Sequence, residues 1–315
     1  MLRLFEGREP DTVKLDNLAP WVHADEASQI EAAAAIPLSS PLEKPEKPAR
    51  VVAFCSAIGS VGKTTIAINV AFELATAGHK VAVLDFDICA PSLLTSLNQE
   101  AITAGLSGAH RLVGQGRFFA SDLNRFMMVL NFDGVRVSVL PGLGVPFELG
   151  ASAGDLAPTV RRIIETSDAD YVVLDLPNIS SAPEVAAAAL SMADLSFSIC
   201  TADPIGVQRQ LWLQNQLKHL GLPNEPQLIV NRVRDSVLGA NAKRQLADTF
   251  ERISKTEVVA FVPDDPPVFD IALREGLPLR LAKKASPARH AISMFVRQGI
   301  LGQRSQLDWR VARNG

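Results

Sequence analysis

The chain has 315 residues, a formal net charge of −3 and 47% apolar residues. That length allows one large α/β domain or two small ones, and the apolar content is ample for a buried core. Three cysteines, Cys55, Cys89 and Cys200, are too few and too scattered for a disulfide framework or a zinc site, so a reducing, cytoplasmic setting is expected.

The start, Met1-Leu2-Arg3-Leu4-Phe5-Glu6, has no uninterrupted apolar core of the kind a signal peptide needs, and no segment is long and apolar enough to span a bilayer. Residues 1–49 read as an acidic tail that is disordered or loosely docked. It closes on the Pro-rich linker Pro41-Leu42-Glu43-Lys44-Pro45-Glu46-Lys47-Pro48. One apolar island, Leu15 to Val22, stands in it. A docking peptide and an embellishment packed on the domain are equally compatible with that island.

From Val51 the pattern alternates. Apolar strand-like runs fall at Val51–Cys55, Val81–Leu84, Val135–Leu140, Tyr171–Leu174, Leu195–Cys200, Leu228–Val230 and Val258–Val262. Helical periodicity falls between and after them, at Thr64–Ala77, Leu123–Met128, Leu156–Thr166, Pro183–Ser191, Val207–Leu220, Ala240–Ile253, Pro267–Glu275 and Pro287–Gly299. Continuous rather than alternating apolar strands are those buried on both faces. The expected fold is therefore α/β, a mainly parallel doubly wound sheet in a P-loop NTPase-like three-layer sandwich over residues 50–301, with ligands bound beyond the carboxyl ends of the strands. The last helix is expected to pack on the sheet through Ile292, Phe295 and Val296, with a membrane-surface role as the lesser alternative. Residues 302–315 form a basic tail. A solvated terminus is the plain reading of its charges, and contact with lipid, nucleic acid or an acidic surface is the functional one.

Chemistry concentrates where the first strand meets the first helix. Ser56-Ala57-Ile58-Gly59-Ser60-Val61-Gly62-Lys63-Thr64-Thr65 lies between them, the order strand, small-residue loop, Gly-Lys-Thr, helix. Such a loop turns backbone N–H groups and the positive end of a helix toward an anion. Gly59, Ser60, Val61, Gly62, Lys63, Thr64 and Thr65 are the candidate phosphate contacts, with Lys63 reaching the terminal phosphates and the Thr64 hydroxyl on Mg²⁺. Ala57 stands where the general motif wants Gly. Three acids end strands at the same edge: Asp85 and Asp87 after Val81–Leu84, and Asp175 after Tyr171–Leu174. An acid there is placed to hold Mg²⁺, and Asp87 could polarise an attacking water. The alternative is that each acid caps a following loop. Cys89, near this loop, is read as a packing residue, with reactivity as the alternative.

Taken together, these residues resemble the MinD/ParA family of deviant Walker A ATPases from Arg50 to about Leu301. Ile58 to Thr65 looks like the family's K-G-G-V-G-K-T-T loop, and Leu84-Asp85-Phe86-Asp87 like its second acidic motif. Leu174-Asp175-Leu176-Pro177 looks like its D-x-P segment, Val230-Asn231-Arg232 like its V-N-R segment, and Phe261-Val262-Pro263-Asp264-Asp265 like the P-x-D loop. Within the family, Asp265 through Leu279 looks most like the CpaE/TadZ pilus-positioning branch. The resemblance implies ATP and Mg²⁺ as ligands, with Lys63 and Asp87 catalytic, Thr64, Asp87 and Asp175 around the metal, Asn231 on adenine and Pro263 bordering the base. It implies a slowly hydrolysing positioning protein for pilus assembly or division-site placement. A homodimer, a protein partner at that site, and recruitment from the cytoplasm to the membrane periphery or pole go with it. The rival expectations are a nucleotide-binding scaffold without turnover and a partition ATPase that binds DNA. Two departures bear on rate. Ile58 replaces the signature lysine that reaches across a dimer, and Ile179 replaces the Gly of D-x-P-x-G.

Overall fold

The structure is a computed structural model and describes residues 48–144, 156–219, 222, 225–234, 236, 242–283 and 285–303. The Leu15–Val22 island, most of the N-terminal tail and the last part of the basic tail lie outside the described residues.

Eight strands form one sheet in the order β3-β4-β2-β5-β1-β6-β7-β8. They are β1 Arg50–Ser56, β2 Val81–Asp85, β3 Met128–Phe132, β4 Val135–Leu140, β5 Tyr171–Asp175, β6 Leu195–Thr201, β7 Gln227–Val233 and β8 Val258–Pro263. All neighbours pair parallel except β3, which runs antiparallel to β4. The central strands are apolar along their whole length because both faces are covered. Val51, Ala53 and Cys55 of β1 join one core, and Val52 and Phe54 join the other. On the first face lie α2 Gly105–Gly114, α4 Leu156–Thr166 and α5 Pro183–Leu190. On the second lie α1 Lys63–Thr76 and α10 Pro287–Phe295, with α8 Pro266–Glu275 and α9 Leu279–Ala282 alongside. α6 Pro204–His219 and α7 Ala242–Ser254 pack over the β6–β8 end of the sheet. This is the expected three-layer sandwich. Among the described residues no helix is long and apolar enough to cross a membrane.

Several elements depart from the sequence reading, the four-residue α9 among them. The segment read as a helix over Leu123–Met128 is α3 Ala120–Phe126, and the chain then turns into β3. The β3–β4 hairpin closes on Asp133-Gly134, both at positive φ (50° and 77°), with Phe132 opposite Val135. An Asp-Gly pair between two apolar runs is a strong hairpin signal, and it marks this antiparallel edge. α2 carries Gly105, Gly108 and Gly114, a composition that hides a helix from periodicity. Packing keeps it: the Phe126 ring lies so close to Gly108 that a side chain there would collide with it.

The last helix behaves as expected. Ser286 caps α10 by accepting a hydrogen bond from the Arg289 N–H, and Ile292, Phe295 and Val296 are buried against the sheet. One π turn, Val296–Ile300, follows it, and its Ile300 carbonyl accepts a hydrogen bond from Arg50 of β1. Phe197 of β6 links the layers, stacked on Phe54 at 5.7 Å and edge-on to Phe295 at 4.8 Å between ring centroids. Phe197→Ala should therefore cost about 3–5 kcal/mol in urea unfolding. Val129→Ala, on the exposed side of β3, should stay within about 0.5 kcal/mol of wild type. Equal effects would contradict this account of the core.

Candidate functional site

The carboxyl edge of the sheet gathers the expected residues. Register does this before any side chain is considered. Asp175 sits opposite Asp85 on β2 and opposite Phe54 on β1, so both acids and the loop after β1 emerge side by side. The loop runs from the end of β1 into α1, whose first turn begins at Lys63. The first N–H groups of any helix have no intrahelical partner, and among the described residues no side chain caps these, which lie at the positive end of the helix dipole.

The loop's shape is held from three sides. Ser60 and Gly62 have positive φ, 64° and 94°. At Gly62 a side chain would also run into the Asn231 amide. Asn231, at the end of β7, donates from Nδ2 to the Val61 carbonyl at 2.8 Å. Its Oδ1 is buried with no hydrogen-bond partner among the described residues. From the other flank, the Ile179 N–H donates to the Ser56 carbonyl at 2.9 Å, and Ser180 Oγ donates to the Ala57 carbonyl at 2.6 Å. Ile58 is half-buried and packs against both apolar cores.

Lys63, only 6% exposed, places Nζ 2.6 Å from Asp175 Oδ1 and 3.4 Å from Asp87 Oδ2. Thr64 Oγ1 donates to Asp175 Oδ2 at 2.6 Å. Burial by itself would lower the pKa of the Lys63 ammonium, but the Asp175 and Asp87 carboxylates outweigh it and hold the group above its ordinary value. Lys63 is therefore a buried, carboxylate-paired cation.

Asp85 and Asp87 both cap the loop that follows β2. Asp85 braces a loop: Oδ1 accepts the Asp87 N–H, and Oδ2 accepts those of Ser92 and Leu93. Burial, with Asp175 alongside, pushes its carboxyl up to about 7. Asp87 also braces this loop, and pairs with Lys63 besides. Oδ1 accepts the Cys89 and Ala90 N–H groups, while Oδ2 faces Lys63.

Ser92, which sequence reasoning passed over, places Oγ 3.5 Å from Thr64 Oγ1. Its signal was only its position, seven residues after the Asp85 that binds its N–H. Cys89 is half-buried, and burial with Asp87 nearby raises its thiol, which suits packing rather than reactivity. Cys55 and Cys200 are buried core residues. Pro263 ends β8 at the same edge, three strands out from β1, and stands apart from the hydrogen-bonded cluster.

The donor set suits a phosphate-bound Mg²⁺. It offers a hydroxyl and carboxylates for a hard cation, a lysine for anionic oxygens, and free N–H groups at a helix start. Among the described residues no cluster of three His, Cys, Asp or Glu side chains forms a complete metal cage. A Mg²⁺ ion here would draw on phosphate and water as well.

Comparison with known proteins gives the same direction. The pattern of the CobQ/CobB/MinD/ParA nucleotide binding domain matches residues 52–279. The chain is 26% identical over 151 residues to the chloroplastic Fe-S cluster assembly factor HCF101 of Arabidopsis thaliana, covering 40% of this chain and 28% of that one. It spans a third or less of the length of the curated iron–sulfur relatives it matches. An uncharacterized ATP-binding protein of Methanocaldococcus jannaschii is 26% identical over 241 residues, 76% of this chain and 84% of that one. The MinD cell division protein of Aquifex aeolicus superposes with a TM-score of 0.63 over 82% of this chain and 100% of that one, at 24% identity, a likeness of fold.

The close approach of Gly62 to Asn231 yields a test of the site's geometry. Gly62→Ala should destabilise by about 1–2 kcal/mol for its backbone conformation alone, and by more while Asn231 stands in the way. In an Asn231→Ala background the excess should vanish, giving a coupling of about 0.5–3 kcal/mol in a double-mutant cycle followed by urea unfolding. Strict additivity would show that the two residues do not touch.

Proposed function

The chain belongs to the CobQ/CobB/MinD/ParA family of nucleotide-binding domains, and we propose that it binds Mg–ATP at the loop Gly59–Thr65 and hydrolyses it slowly. The observation that carries this reading is the buried convergence of Lys63, Thr64, Asp87 and Asp175 at the start of α1.

In this reading the loop N–H groups and Lys63 bind the phosphates, and Thr64 and Asp175 hold Mg²⁺ with Asp87 at its margin. The ion, when bound, supplies charge to offset that of the phosphates. Asp87 Oδ2 orients the attacking water, while its Oδ1 stays locked to the loop that aims it. Asn231 has a buried Oδ1 with no partner among the described residues, at the same edge, which suits a hydrogen-bond donor on the base, with Pro263 bordering the ring.

Slow turnover is supported by the two isoleucines. The Ile179 N–H is spent on the Ser56 carbonyl and its side chain is buried, so this segment offers the phosphates less than a free glycine would. The Ile58 side chain cannot donate a hydrogen bond and packs inward, so a dimer would lack the charge-assisted contact a lysine makes across it. The same two residues favour a second reading, a nucleotide-binding scaffold with no useful turnover.

The cellular role proposed is spatial positioning, of the CpaE/TadZ-like kind, for a pilus or division machine through a protein partner. It rests on the likeness of Asp265–Leu279 to that branch.

Thermal unfolding and phosphate release together test the chemistry. Mg–ATP at a hundredfold excess over Kd should stabilise wild type by about 3 kcal/mol. Lys63→Ala, already less stable because it strands Asp175, should gain nothing. Asp87→Ala should keep the gain from Mg–ATP and lose phosphate release. A gain in Lys63→Ala equal to wild type would remove the loop from the site. Unchanged release in Asp87→Ala would remove that residue from catalysis. Background release by wild type that still binds would establish the scaffold reading.

A further inference from the structure

The segment Asp265–Leu279 makes contacts that the chemistry above does not use. It starts where β8 ends, directly after Pro263 and Asp264, and α8 carries it away from that corner of the sheet. Val268 and Ala272 bury one side of α8 in the second core. The far end is fastened at two places. Gly276, at φ 64°, lies so close to the Leu97 carbonyl and to Asn98 that a side chain there would collide with both. Beside it, Asn98 Nδ2 donates to the Arg274 carbonyl at 3.1 Å. Just after it, the Leu279 N–H donates to Oδ1 of the buried Asn69 at 2.8 Å, and Asn69 Nδ2 donates to the Thr65 carbonyl at 2.8 Å.

Both fastenings are made to the phosphate end of the site. Asn69 lies on α1, one turn after Thr65. Leu97 and Asn98 belong to the loop after β2, which carries Asp87 and whose Ser92 and Leu93 N–H groups Asp85 holds. The near end of the segment lies elsewhere. β8 is five strands from β2 in the sheet order, roughly 24 Å at about 4.8 Å per strand, so a base held at Pro263 does not touch that loop.

We propose that Asp265–Leu279 is a strut. It transmits the presence of a base at Pro263 to the loop that carries Asp87, and that loop is fully ordered only when base and phosphates are bound together. Asn98 and Gly276 are the positioning residues of the strut. The proposal rests on the nucleotide-binding reading above and adds how the site tells a nucleoside triphosphate from a bare polyphosphate.

The argument is mechanical. Coupling between separated sites travels through rigid elements in contact. α8 is fixed where it starts: Pro266 and Pro267 restrict its first turn, and Ser286 Oγ donates to Asp265 Oδ2 at 2.7 Å. A base against Pro263 restrains that start further. At the far end backbone meets backbone, with no flexible side chain between Gly276 and Leu97 to absorb a shift. The Asn98 bond to Arg274 keeps the two from sliding apart. Asn98 itself is at φ 50°, a left-handed conformation that asparagine tolerates and that aims its side chain at α8.

The test is hydrogen exchange of the full chain at saturating Mg–ATP and at saturating Mg–tripolyphosphate, which carries the phosphates and no base. In wild type both ligands should protect Gly59–Thr65. Only ATP should further slow Leu93–Asn98, Leu277 and Leu279, by at least about fivefold, the low end of usual coupling between sites. Asn98→Gly keeps the left-handed backbone accessible and removes the bond to Arg274. In that variant ATP should still protect Gly59–Thr65, while its extra effect on Leu93–Asn98 disappears. Gly276→Ala, which forces Leu97 away, should act in the same way. Equal protection of Leu93–Asn98 by the two ligands in wild type would overturn the strut, because the phosphates alone would then order the loop. No change at Leu93–Asn98 with ATP, or an ATP effect retained in full by both variants, would also overturn it. All three results leave the nucleotide reading standing if Gly59–Thr65 is protected. Failure of either ligand to protect Gly59–Thr65 would defeat that reading, and the strut with it. If tripolyphosphate alone fails to protect that loop, the comparison of wild type with the variants in ATP decides. If neither variant folds, the two wild-type arms decide.

Discussion

A buried cation must be paired, and the pairing of Lys63 with Asp175 organises this molecule. Lys63 opens α1, and Asp175 closes β5, more than a hundred residues later. Their contact at 2.6 Å requires β5 to lie beside β1, which it does with Asp175 opposite Phe54. It also requires the chain after β1 to turn sharply before α1, which Gly62 makes possible at φ 94°. β2 then completes the edge from the other side of β5, with Asp85 opposite Asp175. Sheet order, loop conformation and helix start all answer to the same buried charge.

Around that pair the site shows a division of labour. Asp85 is spent on backbone N–H groups and fixes the loop that carries Asp87. Asn231 fixes the Val61 carbonyl, and Ser180 and Ile179 fix the carbonyls of Ala57 and Ser56. A loop braced this heavily is pre-organised, so its N–H groups need little rearrangement to meet an anion. The bracing also gives Ile58 and Ile179 a structural meaning. Both side chains are drawn into the apolar interior, where a lysine or a glycine would contribute nothing to the core.

Much of this was legible in the sequence because the informative residues sit where periodicity changes. Gly62-Lys63-Thr64 between an apolar strand and an amphipathic helix, and acids directly after apolar strands, are local patterns with a mechanical cause. What was not legible depended on long-range contact. α2 exists because Phe126 and Pro141 close over its glycines. β3 exists because the Asp133-Gly134 turn folds Met128–Phe132 back on β4, a signal present in the sequence but overridden by a helical reading of Leu123–Met128. No propensity indicates that α6 buries Gln210 and Gln214. Gln210 donates to Ser198 of β6, and the Gln214 amide has no partner among the described residues. The loop-bracing role of Asp85 was likewise hidden, since the N–H groups it binds come from a segment with no regular structure.

Hydrogen exchange of the loop amides, with and without Mg–ATP, tests the central claim most directly, that the Lys63–Asp175 edge is where this chain holds a nucleotide. The N–H groups of Gly59 to Thr65 should slow markedly when Mg–ATP is added, together with those of the Asp87–Ala90 turn and Asn231, because ligand contact removes them from solvent and from local opening. Unchanged exchange across Gly59–Thr65, with protection appearing at the β3 edge or over α6, would place the nucleotide elsewhere and contradict the account.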